Sequence, residues 1–516
     1  MPTIELLKSR HVYGAERVPV LDADEAAEFD RASREHFGIP ERVLMENAGR
    51  AVAGVIARAF ERGRVLAVAG SGHNGGDALV ALRVLKSWGW EVAWVQAGGS
   101  PPDPALLHGW DIDRIEAPDD GAFAAADVII DGLLGTGSRG APRERAAAVI
   151  EQMNASGRPI AAVDLPSGVD PTTGRVPGVA VRAWVTVTFG APKTGLMLQP
   201  ARSYCGWLAC AEIGFAPVAD SRTLLITPEY AYQRMPRRSP DSHKGQSGRL
   251  LLLAGSTGMA GAAAISGLAA VRSGAGLVRI VSTESNRTIV QSVVPEATFF
   301  TRGDLDAAEG VTAMAAGPGL GTTDESWSVL NAYLDATGDR PVVLDADALN
   351  LHAVHRNALR ARAAARPVVL TPHVRELARL TGSEDAAILS DPLRAAREFA
   401  GETGAIVLLK GQPSVIASPD GTLLINTLGS SDTAVAGMGD QLTGTIAGML
   451  AAGLDARDAA AVGLFFSGRA ADLAGLGRSL SPRDVSLNLS RAFRSPGRRT
   501  PMLDLPFITF EQPPRW

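Results

Sequence analysis

The chain has 516 residues, about three times the length of a typical domain, so two or three domains are expected. Its composition, 46% hydrophobic and 20% charged, is globular and excludes disorder and fibrous repeats. A net charge of −5 offers no basic field for nucleic acid or anionic membrane, and two cysteines, Cys205 and Cys210, exclude a disulfide framework or a cysteine zinc site.

The start, MPTIELLKSR, has no basic region followed by an apolar stretch, so no secretory signal is expected and the compartment is read as cytoplasmic. Pro40 opens a helix whose apolar positions Val43, Leu44, Ala48, Val52, Val55 and Ile56 recur at helical spacing. Short apolar runs follow at 64–69, 91–95, 127–131, 158–163 and 184–189, mostly separated by helix-length segments, which predicts βαβ units and a parallel sheet. A segment rich in Pro, Arg and Ser (227–248) marks a boundary near its start, giving domains of 1–224 and 225–516. The pattern then repeats at 250–254, 277–281, 341–344, 367–370, 405–409 and 414–417. Residues 250–271 carry no charge, but a GSTG turn divides them, so they read as strand, turn and helix instead of a membrane span. The tail after about 495 is expected to be an irregular wrap or a frayed end.

Chemistry-bearing residues gather at the ends of these strands. The first run ends in GSGHNGGD (70–77), where main-chain N–H groups and a helix N-terminus can face a phosphate; a plain tight turn is the alternative. Two later runs end at Asp131 and at Asp164-Leu-Pro-Ser167, so Asn74, Asp131 and Ser167 share one rim. Their oxygens suit a hard cation, although Asp131 taken alone reads first as a turn cap. Only five of the fifty basic residues are lysines, and one of them, Lys193, reaches the same rim. Lysine differs from arginine in being able to lose its proton.

In the second half, AGMGDQLTG (436–444) places Asp440 at a helix start, as a helix cap or as a base beside a phosphate. Lys244, Lys410, the glycines around Gly319, the trio Asp345, Asp347 and Asn350, and the pair His373 and Glu376 fall at other turns and strand ends. Asp345 and Asp347 read as part of a Mg²⁺ network or as turn carboxylates, and His373 as a ligand contact or a structural hydrogen-bonder. No Walker A motif occurs, which argues against a P-loop enzyme.

Five motifs in order, MENAGRAVA (45–53), GHNGGDAL (72–79), DGLLGTG (131–137), VDLPSGVD (163–170) and TFGAPKTGL (188–196), resemble the epimerase domain of bifunctional NAD(P)H-hydrate repair enzymes. The resemblance covers roughly residues 10–220. It implies a Rossmann-like three-layer α/β fold and a potassium ion on Asn74, Asp131 and Ser167. It further implies hydrated-dinucleotide contacts from Asn74, Gly75, Gly76, Asp77, Gly135, Thr136, Gly137, Ser138, Arg139, Gly140, Ala141 and Asp164, with Asp164 and Lys193 moving protons. The chain departs from the family pattern at His73, usually Asn, and Ala78, usually Gly.

From about 240 to 492 the chain resembles the ribokinase-like ADP-dependent NAD(P)H-hydrate dehydratase. That implies an α/β fold, ADP as co-substrate and Mg²⁺. Lys410, Gly411, Gln412, Pro413, Ser414 and Gly439 would contact the adenine nucleotide; Ala262, Gly319, His373 and Asp440 would contact the hydrated dinucleotide. Ala436 and Met438 stand where Gly and Thr are usual, the stretch 429–436 is atypical, and Val374-Arg375 replaces Pro-Gly. The expected function is therefore epimerisation of NAD(P)H hydrates followed by ADP-driven dehydration of the S epimer. A small-molecule kinase, or a non-catalytic nucleotide-binding module, stays open for one half. Small-molecule substrates, a homo-oligomer, and neither nucleic-acid nor membrane partners complete the expectation.

Overall fold

The structure is a computed structural model that describes residues 17–97, 102–116, 120–216, 221–236, 248–494 and 507–509. The chain forms two compact units, one of residues 1–221 together with 499–516, the other of 222–498.

The first unit is built on an eight-stranded sheet. Its strands in chain order are β1 (Arg64–Ala69), β2 (Glu91–Gln96), β3 (Asp113–Ile115), β4 (Val128–Gly132), β5 (Ile160–Val163), β6 (Val185–Phe189) and β7 (Trp207–Ala211). The strand Phe507–Thr509 completes it, in the spatial order 507–509, β7, β6, β5, β4, β1, β2, β3. All pairings among β1–β7 are parallel. The near-continuous apolar runs reflect burial on both faces. Val65, Ala67 and Ala69 pack under the helices α1 (Glu41–Ala59) and α2 (His73–Ser87), while Leu66 and Val68 join Ile150 and Met153 on the other face. These are the three layers expected. Val43 departs from the expected apolar face of α1, being 46% exposed.

Two features of the tail and boundary differ from the sequence reading. The strand Phe507–Thr509 pairs antiparallel with β7, so part of the tail belongs to the first unit's sheet and is neither irregular nor attached to the second unit. The division falls at 221/222, and residues 223–225 form a strand of the second unit. Lys8 and Lys244 lie outside the described residues.

The second unit contains β8 (Thr223–Leu225), β9 (Arg249–Leu253), β10 (Leu277–Ser282), β11 (Thr298–Thr301), β12 (Ala313–Ala316), β13 (Val342–Leu344), β14 (Val368–Leu370), β15 (Ile406–Leu409), β16 (Ser414–Ala417) and β17 (Leu423–Asn426). They lie in the order β8, β17, β16, β15, β14, β13, β12, β9, β10, β11. The sheet is parallel except where β16 meets β15 and β17. Its strands at β9, β12 and β13 pack against α3 (Ala260–Arg272), α4 (Met438–Ala451) and α5 (Ala456–Ala474) through Leu250, Leu252, Ala313, Val343, Ile446 and Phe466. The uncharged segment 250–271 is thus a strand, a turn and a helix. Among the described residues no helix is long and apolar enough to cross a membrane.

Both sheets share one topological property. In the first, the chain runs β1, β2, β3 to one side and returns on the other side of β1 at β4; in the second it runs β9, β10, β11 and returns beside β9 at β12. At such reversals the loops leaving adjacent strands diverge and open a crevice at the carboxyl ends.

Candidate active sites

At the first reversal the loops after β1 and β4 touch. The Gly70 N–H donates to the Gly132 carbonyl at 3.0 Å, and a Cβ on Gly70 would lie 2.0 Å from the Leu133 carbonyl oxygen, so only glycine fits. Ala78, one of the departures, sits where Gly132 has no side chain, which makes room for its methyl group. His73, the other, is exposed, pairs with Glu41 and lines the cavity described below.

Asn74, Asp131 and Ser167 come together as expected. The Asn74 amide donates to the carbonyls of Val163 (2.7 Å) and Leu134 (3.2 Å), while the Leu134 N–H donates to Ser167 Oγ at 2.9 Å. Ser167 in turn donates from Oγ and from its main chain to the two Asp131 oxygens, at 2.6 and 2.8 Å. Asp131 is fully buried, and burial pushes its carboxyl up to about 6 against these hydrogen bonds, with no charged group among the contributing causes. A buried carboxylate held only by neutral donors, amid hard oxygens, is an environment that a monovalent cation would relieve. The donor set therefore fits a monovalent cation such as the potassium that the resemblance implies.

Asp164 and Lys193 form a buried ion pair. Lys193 Nζ donates to Asp164 Oδ1 at 2.6 Å, and to Thr188 Oγ1 and the Phe189 carbonyl at 3.0 Å each. Thr188 Oγ1 closes the triangle by donating to Asp164 Oδ1 at 2.9 Å. All three ammonium protons are thus placed. Asp164 has φ of +65°, a conformation costing a non-glycine residue about 1 kcal/mol or more, which is retained where the surrounding contacts over-determine it. Thr188 did not emerge from the sequence; the alternation of threonine with apolar residues in VTVTF, polar on one face of a buried strand, was the available signal.

A cavity of about 410 Å³ opens onto this pair. Asp30, Met45, Asn74, Asp77, Asp164 and Lys193 are among its lining residues. Asp77 is buried, and burial first, then the charges of Asp164, Asp30 and Glu41, hold its carboxyl well above the usual range. Thr136, Gly137 and Arg139 also line the cavity, with Arg139 pairing with Asp24. Gly75 and Gly76 pack instead against Gly70 and Met45, and Gly135 against the Asn74 amide. Ser138, Gly140 and Ala141 lie on the same loop as Arg139, outside the cavity lining.

The second reversal brings Ala262 and Gly319 together. Gly319 has φ of +57°, and a Cβ there would lie 3.0 Å from that of Ala262. Gly437, opening α4, leaves room for Ile265 on the face of α3 next to Ala262, so the start of α4 borders the same crevice.

Beside it stands a charged network that the sequence presented only as separate pieces. Lys410 Nζ donates to Asp345 Oδ1 at 2.8 Å and lies 3.8 Å from Glu376. Thr443, on α4, donates to Asp345 Oδ2 at 2.7 Å. Asp345 is buried; Lys410 and these hydrogen bonds outweigh the opposing effect of burial and hold its carboxyl below the usual range. The same pairing raises the affinity of Lys410 for its proton although burial works against it. A Cβ on Gly439 would sit 3.3 Å from Lys410 Nζ, so the ammonium lies against the first turn of α4. Next along, the Asp440 carboxyl is pushed up to about 7, by burial first and then by Asp345, with Lys410 opposing. The cap of α4 is Gly437, and no hydrogen bond is among the causes that set the Asp440 carboxyl.

His373 is accounted for structurally. It caps the helix Val374–Thr381, its Nδ1 accepting from the Glu376 N–H while Glu376 accepts from the His373 N–H. Burial lowers its proton affinity, and a main-chain bridge to Lys410 keeps it at the same rim. Gly411 and Ser414 bond each other in the loop joining β15 to β16. Asp347 accepts from the Gly321 N–H at 2.8 Å and so acts as a turn carboxylate. Among the described residues no group of three or more His, Cys, Asp or Glu side chains is spaced to hold a metal.

Comparison with known proteins gives these sites a family. A family model described as YjeF-related protein N-terminus matches residues 41–195, and one described as NAD(P)H-hydrate dehydratase matches residues 250–490. A bifunctional NAD(P)H-hydrate repair enzyme of Pyrobaculum aerophilum is 37% identical over 490 residues, covering 89% of this chain and 95% of its own. This chain belongs to the bifunctional NAD(P)H-hydrate repair enzyme family. Members from Moorella thermoacetica (37% identical; 88% of this chain, 92% of the relative) and Escherichia coli (34%; 87% and 88%) align over similar spans. A solved ADP/ATP-dependent NAD(P)H-hydrate dehydratase of Bacillus subtilis, co-crystallised with ATP and Mg²⁺, is 34% identical, with a TM-score of 0.47, covering 52% of this chain and 97% of that one.

Proposed function

We propose that the first unit interconverts the C6 epimers of hydrated NADH or NADPH and that the second dehydrates the S epimer with ADP. The observation that carries this reading is the pairing, within one member of the repair family, of a buried Asp164–Lys193 proton relay with an Asp440 carboxyl raised to about 7.

In the first unit the hydrated nicotinamide would enter the cavity over Asp77, with Asp164 and Lys193 exchanging protons with the substrate across their 2.6 Å contact. Asn74, Asp131 and Ser167 would hold potassium, whose charge would neutralise Asp131 and fix the loops after β1, β4 and β5. Asp77, whose carboxyl is held well above the usual range by burial and then by its acidic neighbours, would face the substrate in the cavity.

In the second unit Asp440 takes the proton of the C6 hydroxyl, whose oxygen attacks the β-phosphorus of ADP as the bond to AMP breaks. The nitrogen lone pair then expels phosphate, and loss of the C5 proton regenerates NAD(P)H. Lys410 and the N–H groups at the start of α4 face the charge on the transferring phosphoryl group. Mg²⁺ carried with the nucleotide would neutralise part of that charge. Ala262, Gly319 and His373 would line the dinucleotide side, and Gly411, Gln412, Pro413, Ser414 and Gly439 the adenine-nucleotide side.

The test is to incubate mixed hydrate epimers with ADP and follow reduced-nicotinamide absorbance. Complete recovery with release of AMP and phosphate is expected. Recovery of one epimer only would refute the epimerase half, and a stable phosphorylated product without recovery would make the second unit a kinase.

A further inference from the structure

The crevice of the second unit lies between two glycine-rich loops, 255–258 after β9 and 317–321 after β12. Gly255, Gly258, Gly317, Gly319 and Gly321 all have positive φ. Loops with so little side-chain packing need fastening if Gly319 is to meet a substrate reproducibly, because their conformational entropy opposes one fixed geometry. Their main chains join at two points, with the N–H groups of Gly255 and Ser256 donating to the carbonyls of Pro318 and Gly319.

One side chain among the described residues bonds both loops. Arg302 follows β11, the edge strand, and its Nη2 donates to the Gly255 carbonyl at 3.1 Å and to the Leu320 carbonyl at 2.7 Å. It reaches past β10 to span the reversal between β9 and β12. The other side-chain fastenings serve one loop each: Asn286 holds the Ser256 carbonyl, Ser282 and Thr283 the Gly255 carbonyl, Ser326 the Leu320 carbonyl, and Asp347 the Gly321 N–H. Both bonds come from one nitrogen, Nη2, at the far end of the side chain, with one proton for each carbonyl. Its Nε is buried without a hydrogen-bond partner. A buried donor left unpaired is unfavourable, and its retention indicates that the two carbonyl bonds decide where the group sits.

We infer that Arg302 is a positioning residue for the hydrated-dinucleotide substrate, locking the two loops at the reversal so that Gly319 and Ala262 present one preformed surface. The inference rests on the proposed reading of that crevice. It assigns Arg302 to the dinucleotide side alone: Lys410, Gly439 and Asp440 are held by β13, β15 and α4 through contacts that do not involve it.

The test compares Arg302→Gln and Arg302→Lys with the unaltered full-length protein in steady-state dehydration, with the S epimer and ADP varied separately. Loss of both bonds in Arg302→Gln is expected to raise KM for the hydrate roughly tenfold, leaving KM for ADP and kcat within about twofold. Arg302→Lys, which keeps the charge on a side chain one atom shorter, falls between. An unchanged KM for the hydrate overturns the inference, as does a parallel loss in both KM values and kcat, which would mean a general structural role. Amide exchange gives a readout independent of activity. The Gly255 and Ser256 N–H groups should exchange faster in Arg302→Gln with the α4 amides unaffected, and equal protection overturns the inference. A wild-type protein that bound hydrate but did not dehydrate it would refute the proposed function and leave the binding and exchange measurements to decide on Arg302.

Discussion

Asp440 should limit the second unit's stability while supporting its chemistry, and Asp440→Asn separates the two effects. Its folded-state carboxyl lies at about 7 against an ordinary value of 3.8. A group raised on folding stabilises the fold below its unfolded value and loses that contribution as pH rises through the folded one. The lift of roughly three units, at about 1.4 kcal/mol each, sets a ceiling near 4 kcal/mol. Partial solvent access brings the expected penalty above pH 7 to about 2 kcal/mol. Asparagine carries no such charge. Asp440→Asn should therefore match wild type near pH 4, gain stability as pH rises, and at pH 8 melt about 3–4 °C higher in the second unit's transition. Dehydration of the S epimer should fall by about 100-fold or more as the proton acceptor is lost. In wild type kcat should fall on the acid side with a midpoint near 7. Calorimetry at pH 4, 6 and 8 with absorbance-monitored dehydration measures both. A variant with undiminished turnover, or a stability difference that ignores pH, would refute the assignment of Asp440 as a raised, proton-accepting carboxylate.

Three further outcomes are expected. Asp164→Ala should abolish epimerisation without affecting dehydration of pure S epimer, and Lys193→Met, which leaves Asp164 buried without its cation, should destabilise the first unit by about 3 kcal/mol or more in denaturant titration. Potassium should raise the first unit's melting temperature at pH 7.5 and lose that effect below about pH 6, where Asp131 takes up a proton; equal indifference at both pH values counts against a cation site. A chain ending at residue 498 should lower the melting temperature of the first unit by several degrees, since it bares the wholly apolar edge of β7, while dehydration by the second unit persists.

Much of this protein was legible before folding because open α/β sheets place their chemistry locally. A strand, a glycine turn and a helix N-terminus occupy a few consecutive residues, so Asp131, Asp164 and Asp440 could be read from one dimension, and the motifs around them carried the family. Of the strands that escaped, β3, β8 and β11 are short or polar edge segments and β12 a small-residue run, none with a distinctive periodicity, while β7 and β17 are largely apolar runs of five and four residues that flanking segments do not set apart. Which partner each charge takes was decided only by tertiary structure. Lys410 meets Asp345 across 65 residues and Thr443 meets the same carboxylate across 98. Nothing local marks Arg302 as the fastening of two distant loops. The cause is physical: backbone conformation and burial pattern follow from neighbouring residues, whereas a carboxyl's proton affinity or an arginine's role depends on groups brought close by the order of strands in a sheet. The sequence determined where the acids stand; the reversals in strand order decided what each of them faces.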